Sequence, residues 1–327
     1  MSTGSGHNRA GPDVLDIHFK PLGEFPAPLR YRPLLWPAVV LLLLTVITTL
    51  AVGSEFAMSY THNQEPFSAN QNPFAVMLTP LRHPRLLLGG VPFSLTLLTI
   101  LMAHELGHFF ACRFYEIDVS YPYFIPAPTL FGTFGAFLRI RAPITTRRAL
   151  FDIGIAGPVA GFVLAVPTMA YAIATSKIVP DVQENAAILF GNPPLMRLFL
   201  AIFHPGVNAA SLLLSPIGRA AWVGLFATAL NLLPIWQLDG GHIVYSLVSK
   251  AHQRISLAIA LGLVALGMTC WQGWILWGVL LIVLSLRFRH PPLVDQWEPL
   301  DMQRRVWSIG ALLMFVLCFT PWPAITS

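Results

Sequence analysis

Charge is scarce in this chain: only 11% of its 327 residues are Asp, Glu, Lys or Arg. A soluble domain carries about a quarter, so a soluble fold of this length is excluded. Cysteine is nearly absent too. Cys112, Cys270 and Cys318 lie far apart with no CxxC spacing, which excludes a disulfide scaffold and a thiolate zinc site. There is no basic patch on a polar face of the kind nucleic acid requires; the net charge of +5 comes from basic residues at the ends of apolar runs. The first 33 residues lack the early apolar core of a cleavable signal peptide. Proline and mixed charges there read as a cytosolic arm.

Apolar residues are plentiful, at 55% of the chain. Candidate spans are 34–52, 86–112, 151–175, 216–236, 255–270, 272–286 and 306–320. The fifth and sixth are short and read as a hairpin around Gln272–Gly273. The last stops before "TPWP", whose prolines cannot continue a helix. Residues 176–215, broken by "GNPP" and "HPG", read as a loop with short interfacial helices. The expected fold is an all-α polytopic membrane protein of about six to seven transmembrane helices with a short re-entrant β-like hairpin. Its expected parts are a cytosolic arm (1–33), a first span and extracytoplasmic loop (34–85), a core (86–250) and C-terminal helices (251–327). With the N-terminus inside, fifteen of the 20 basic residues fall on cytosolic segments, in line with the positive-inside bias. A multi-pass membrane protein with a cytosolic N-terminus follows as the expectation, and a bacterial inner membrane or a plastid-like one is its expected setting.

Against this apolar background stands "LMAHELGHFF", residues 101–110. The eighteen residues before it, Leu86 to Ala103, carry no charge. His104 and His108 are spaced i, i+4, so a helix projects both from one face, where they can share a metal ion. Neutral imidazoles suit Zn²⁺, and a catalytic zinc keeps one position open for water. Glu105 is placed to take a proton from that water, whose pKa the metal lowers. Placing Glu and two His in lipid without a use costs at least a few kcal/mol on insertion scales. The competing reading is a polar helix end reaching into the headgroups.

A third ligand is needed. Asp152, in "RRALFDIGIAGP", reads as a helix N-cap near two arginines. Asp239, in "NLLPIWQLDGGH", follows the helix-breaking Pro234 and precedes two glycines that allow a sharp turn. A carboxylate on irregular backbone at membrane depth is tolerated only inside protein or beside a watery cavity. Its plainer role is to cap a helix over 242–250, and both roles are compatible. His242 reads as a supporting or helix-start residue, because a fourth protein ligand closes a zinc site. His204 and His252 read as interfacial. "GPVAG" at 157–161 has spacing suited to close helix packing.

"HELGH" at 104–108 with "NLLPIWQLDGGH" at 231–242 resembles the site-2 protease family of intramembrane zinc metalloproteases, peptidase family M50. "FGTFGAFLRIR" at 131–141 and "GIAGPVAG" at 154–161 also resemble family segments. The resemblance covers about residues 86–250. It implies one Zn²⁺ per chain held by His104, His108 and Asp239, with Glu105 activating water. It assigns Asn231 to the substrate backbone or the oxyanion. It also implies a transmembrane protein as substrate and a lipid bilayer as surroundings. The extracytoplasmic PDZ domain and cytosolic CBS pair of some members do not fit the short gaps between spans.

The stretch "YPYFIPAPTLFGTFGAFLRIR" has too many prolines and glycines for a span and reads as a re-entrant loop or short hairpin. Its edge is suited to pair with an unwound substrate segment by β-augmentation. The expected function is regulated intramembrane proteolysis. A catalytically silent membrane chaperone or binding protein of the same fold is the alternative. A di-iron membrane oxygenase is excluded by histidine count, since only His104/His108 shows the needed spacing.

Overall fold

A computed structural model describes residues 35–66, 84–180, 182, 188–288 and 299–326. The expected arm over 1–33 and residues 67–83 of the expected loop lie outside them. The apolar runs become helices. First come α1 (Leu35–Thr61) and α2 (Pro84–Phe114), then a hairpin of β1 (Tyr123–Pro126) and β2 (Thr133–Phe137), then α3 (Arg147–Ala174). The next stretch holds β3 (Lys177–Ile178), β4 (Ile188–Phe190), the ten-residue helix α4 (Pro194–Phe203) and β5 (Leu212–Leu213). It leads into α5 (Pro216–Asn231) and α6 (Asp239–Val248). Last come α7 (His252–Thr269), α8 (Gly273–Arg287), α9 (Met302–Cys318) and β6 (Ala324–Thr326). Strand β3 pairs antiparallel with β5, closing the 176–215 region on itself, and β4 with β6, tying that region to residues 324–326.

Four helices, α1, α2, α3 and α7, are long and apolar enough to cross a membrane. Apolar side chains cover the outside as well as the core. Leu43, Leu95, Val163, Leu276, Val283 and Ile309 face outward, while Thr45, Thr49 and Ser94 are buried. In lipid no solvent penalty opposes exposed leucine, and hydroxyls gain by turning inward to partners. The Thr49 and Ser94 hydroxyls meet at 2.7 Å and join α1 to α2.

Helices α2, α3 and α5 pack against one another at the centre, around Phe93, Leu97, Ile100, Met169 and Leu225. Ser215 accepts from the Gly218 amide and Pro216 opens α5, so this end is fixed by ordinary capping. The predicted hairpin is present. Tyr123 pairs with Phe137 and Phe124 with Ala136, with a bulge before Pro126–Thr133. A bridge at Val119–Ile140 extends the ribbon. Thr48 of α1 donates to the Gly132 carbonyl at 2.6 Å, fastening the turn.

Three sequence expectations need correction here. The expected span over 216–236 stops at Asn231, because Pro234 denies the preceding residues a helical continuation. His252 is buried rather than interfacial, edge-on to Tyr245 and 3.4 Å from the Ser256 hydroxyl. Asp152 is not an N-cap. Helix α3 starts at Arg147, with Thr146 as its cap. The Asp152 carboxylate instead accepts from the Tyr115 hydroxyl and from Arg304, at 2.8 Å (Nε) and 2.5 Å (Nη2). Arg304 also bonds Asp301, the cap of α9. One guanidinium therefore ties the end of α2, the first turns of α3 and the start of α9. Arg304→Ala is expected to cost about 1–2 kcal/mol, between an exposed and a buried ion pair. Thermal unfolding in detergent checks this; an unchanged midpoint would remove the clamp.

Candidate metal centre

Helix α2 carries His104, Glu105 and His108 in one turn and a half, near its C-terminal end. Because the two histidines are four residues apart, their rings lie one above the other, with centroids 4.9 Å apart. Asp239 reaches them from 135 residues further along the chain. His104 Nε2 lies 3.1 Å from Asp239 Oδ2, and His108 Nε2 lies 3.3 Å from Asp239 Oδ1. The two Nε2 atoms are 3.2 Å apart. Four ligands at ~2.0–2.1 Å around a tetrahedral zinc sit about 3.3 Å from each other. The two imidazole nitrogens and the carboxylate, which faces each nitrogen with a different oxygen, thus lie close to that spacing, and among the described residues they are the group able to hold a metal.

The donor chemistry fits as well as the spacing. His108 Nδ1 donates to the Ile153 carbonyl at 2.7 Å, which fixes the tautomer and turns the Nε2 lone pair toward the cluster. His104 is 5% exposed and Glu105 6%. Asn231, the last residue of α5, places its amide nitrogen 3.2 Å from His104 Nε2. Thus the structure brings together all five residues singled out in the sequence. His242 is one turn along α6 from Asp239 and lines the same cavity as the cluster.

The local backbone explains how Asp239 arrives. Trp236, with φ of +50°, makes the left-handed turn after Pro234. Gly240 and Gly241 do not turn the chain, as the sequence suggested; they lie inside α6 with ordinary helical backbone. What they supply is space. A Cβ on Gly240 would strike the Leu232 carbonyl, and one on Gly241 would come within 2.8 Å of the Ile235 carbonyl. Asp239 is the first residue of α6 and Leu238 is its cap, so the carboxylate is spared capping.

The sequence did not reveal the Ile153 carbonyl or the seat for the histidines. "GPVAG" is the packing surface its spacing suggests, and its partner is the histidine pair. A Cβ on Gly157 would overlap the His108 ring, and one on Gly161 would come within 3.2 Å of the His104 Cβ. Gly157→Ala is expected to displace His108, lower zinc content and cost ~1–3 kcal/mol from overpacking. Metal analysis checks it; wild-type zinc content in the variant would show that the seat is not needed.

Two cavities flank the cluster and share His104, Glu105, Ala136, Asn231 and Leu238. One, of about 150 Å³, lies toward Ile100, Gly224 and Trp277. The other, of about 200 Å³, holds His108, Asp239 and His242. Strand β2 and its continuation through Leu138 and Ile140 form one wall of the pair.

Residues 92–269 match the family description "Peptidase family M50". The chain belongs to that family. Among curated relatives it is similar to "Probable zinc metalloprotease EGY1, chloroplastic" of Arabidopsis thaliana, 32% identical over 71% of this chain and 43% of the relative. The protein of the same name in Oryza sativa subsp. japonica is 28% identical, over 88% of this chain and 51% of the relative. "Probable zinc metalloprotease EGY2, chloroplastic" of Oryza sativa subsp. indica is 30% identical over 76% and 45%. The chain spans about half the length of these relatives. The M50 match contains HELGH, the hairpin, GPVAG and Asp239, which are the parts that build the cluster.

Proposed function

We propose that this M50 chain is a zinc metalloprotease that hydrolyses peptide bonds within or next to transmembrane segments of membrane proteins, in regulated intramembrane proteolysis. The observation that carries the reading is the convergence of His104, His108 and Asp239 beside Glu105, within a shell of outward-facing apolar side chains. His104, His108 and Asp239 would hold one Zn²⁺. Zinc supplies a Lewis acid that polarises a carbonyl and acidifies bound water.

The chain's own residues do the remaining work. Glu105 takes a proton from the attacking water and passes it to the leaving amide nitrogen as the C–N bond breaks and the new C–O bond forms. The Asn231 amide donates to the substrate carbonyl oxygen as it gains negative charge. The Ile153 carbonyl keeps His108 in the tautomer that binds metal. The free edge of β2 pairs with an unwound, extended stretch of substrate.

The same reading includes six to seven spans. Helices α5, α8 and α9, of 16, 15 and 17 residues, join the four longer ones as spans. It places the HELGH end of α2 and residues 142–148 on the cytosolic side, from the basic-residue bias, and takes the membrane to be a bacterial inner membrane. Labelling of residues 142–148 from outside intact cells would reverse that orientation. The function is tested by comparing membranes that hold the wild type or Glu105→Gln. Fragments ending inside predicted spans should appear with the wild type and be absent with the variant. Identical fragment sets would sink the proposal.

A further inference from the structure

We propose that the 150 Å³ cavity between α2, α5, β2 and α8 is a side-chain pocket. It takes an apolar side chain of leucine to phenylalanine size from a residue flanking the scissile bond. The inference rests on reading the metal cluster as a protease centre and adds what that centre selects.

Position comes first. One end of the cavity is formed by His104, Glu105 and Asn231, so an occupant lies against the reacting groups. Glu105 is 6% exposed, and no hydrogen bond to its carboxylate is present among the described residues. A buried carboxylate that lines the cavity and accepts no hydrogen bond within the described chain has acceptor capacity left for a group that arrives from outside. On the other side, Gly135 of β2 is so open that an added Cβ would meet nothing within 4 Å. A strand laid along β2 therefore has room to send a side chain inward.

Chemistry and size follow from the lining. Ile100, Leu101, Leu230, Leu233 and Trp277 make the walls apolar. The space exists because α5 presents Gly224 and Ala227 there, and its Thr228 hydroxyl is already spent on the Gly224 carbonyl at 2.9 Å. Beyond the reacting end the lining has no charged group, and its side-chain polar groups are the Trp277 indole N–H and the Thr228 hydroxyl, so a charged side chain would be buried without an ion partner, which is costly. An engineered apolar protein cavity of about 150 Å³ stays dry and holds one benzene ring. By that measure a phenylalanine or leucine side chain fits, and an indole does not.

The test uses the purified, zinc-loaded full chain and four peptide hydroxamates. Each anchors on the metal and carries a glycine, leucine, phenylalanine or tryptophan side chain beside the anchor. The leucine and phenylalanine compounds should bind about 10–200-fold tighter than the glycine one, the range for added methylenes in an apolar pocket. The tryptophan compound should gain nothing. Ala227→Leu fills the pocket and should erase the leucine and phenylalanine advantage at unchanged zinc content. Trp277→Ala should extend the advantage to tryptophan, and it decides the matter should Ala227→Leu not fold. Equal affinity for all four compounds, or preferences that neither substitution moves, would overturn the pocket alone. Binding of none of them to the zinc-loaded chain would overturn the protease centre, and the pocket with it.

Discussion

Glu105→Gln is expected to keep its zinc and to cleave a membrane-embedded substrate ~10²–10⁴-fold more slowly, the usual contribution of a general acid–base group. The two halves of this result have separate causes. Zinc should be retained because His104, His108 and Asp239 are the group able to hold it, and glutamine keeps the size of the side chain it replaces. Rate is lost because an amide does not accept a proton from water. Glu105 also lines both cavities that flank the cluster, as a base acting on water there would need to. The measurement is initial cleavage rate with a reconstituted transmembrane substrate, with zinc determined on the same samples. Cleavage at close to the wild-type rate would remove Glu105 as the base. Loss of zinc would make it a ligand, and the base would have to be sought elsewhere.

Much of this site was legible because its parts break local rules. HELGH puts three ionisable side chains at the end of an uncharged run, and i, i+4 spacing on a helix leaves their shared face in no doubt. Asp239 stood out because Pro234 ends a helix where a carboxylate has no water. The hairpin was readable from prolines and glycines that no span tolerates. What stayed hidden obeys no local rule. The Ile153 carbonyl is a backbone group, so no residue type marks it. Gly157 and Gly161 signal close packing, but not which side chain they receive. The Asp152–Arg304 pair joins residues 152 positions apart, and nothing near Asp152 distinguishes a clamp from a cap. The glycines after Asp239 were legible as necessary and misread as to purpose, since a residue without a Cβ serves both a sharp turn and a close approach.

Asp239→Ala should remove zinc more thoroughly than loss of any supporting residue, by more than the ~10–100-fold typical of groups that only orient a ligand. The carboxylate closes the third corner of the cluster, within 3.1 and 3.3 Å of the two histidine nitrogens, and it is the cluster's only charged ligand. Alanine leaves two neutral imidazoles facing each other at 3.2 Å, with no anion to favour a cation between them. Asp239→Asn divides the effect. Its amide keeps the shape and offers a neutral carbonyl oxygen, so zinc affinity should fall between wild type and Asp239→Ala. The fold should survive both changes, because the Asp239 side chain makes no capping hydrogen bond to α6, and Gly240 and Gly241 keep their seat on the 232–236 turn. Competition against a chelator gives the affinities, and thermal unfolding of the metal-free proteins gives the stabilities. If Asp239→Ala binds zinc as the wild type does, the third ligand is another group. If the metal-free Asp239→Ala protein unfolds far below metal-free wild type, the aspartate holds the α5–α6 break together, and lost zinc is a consequence of that.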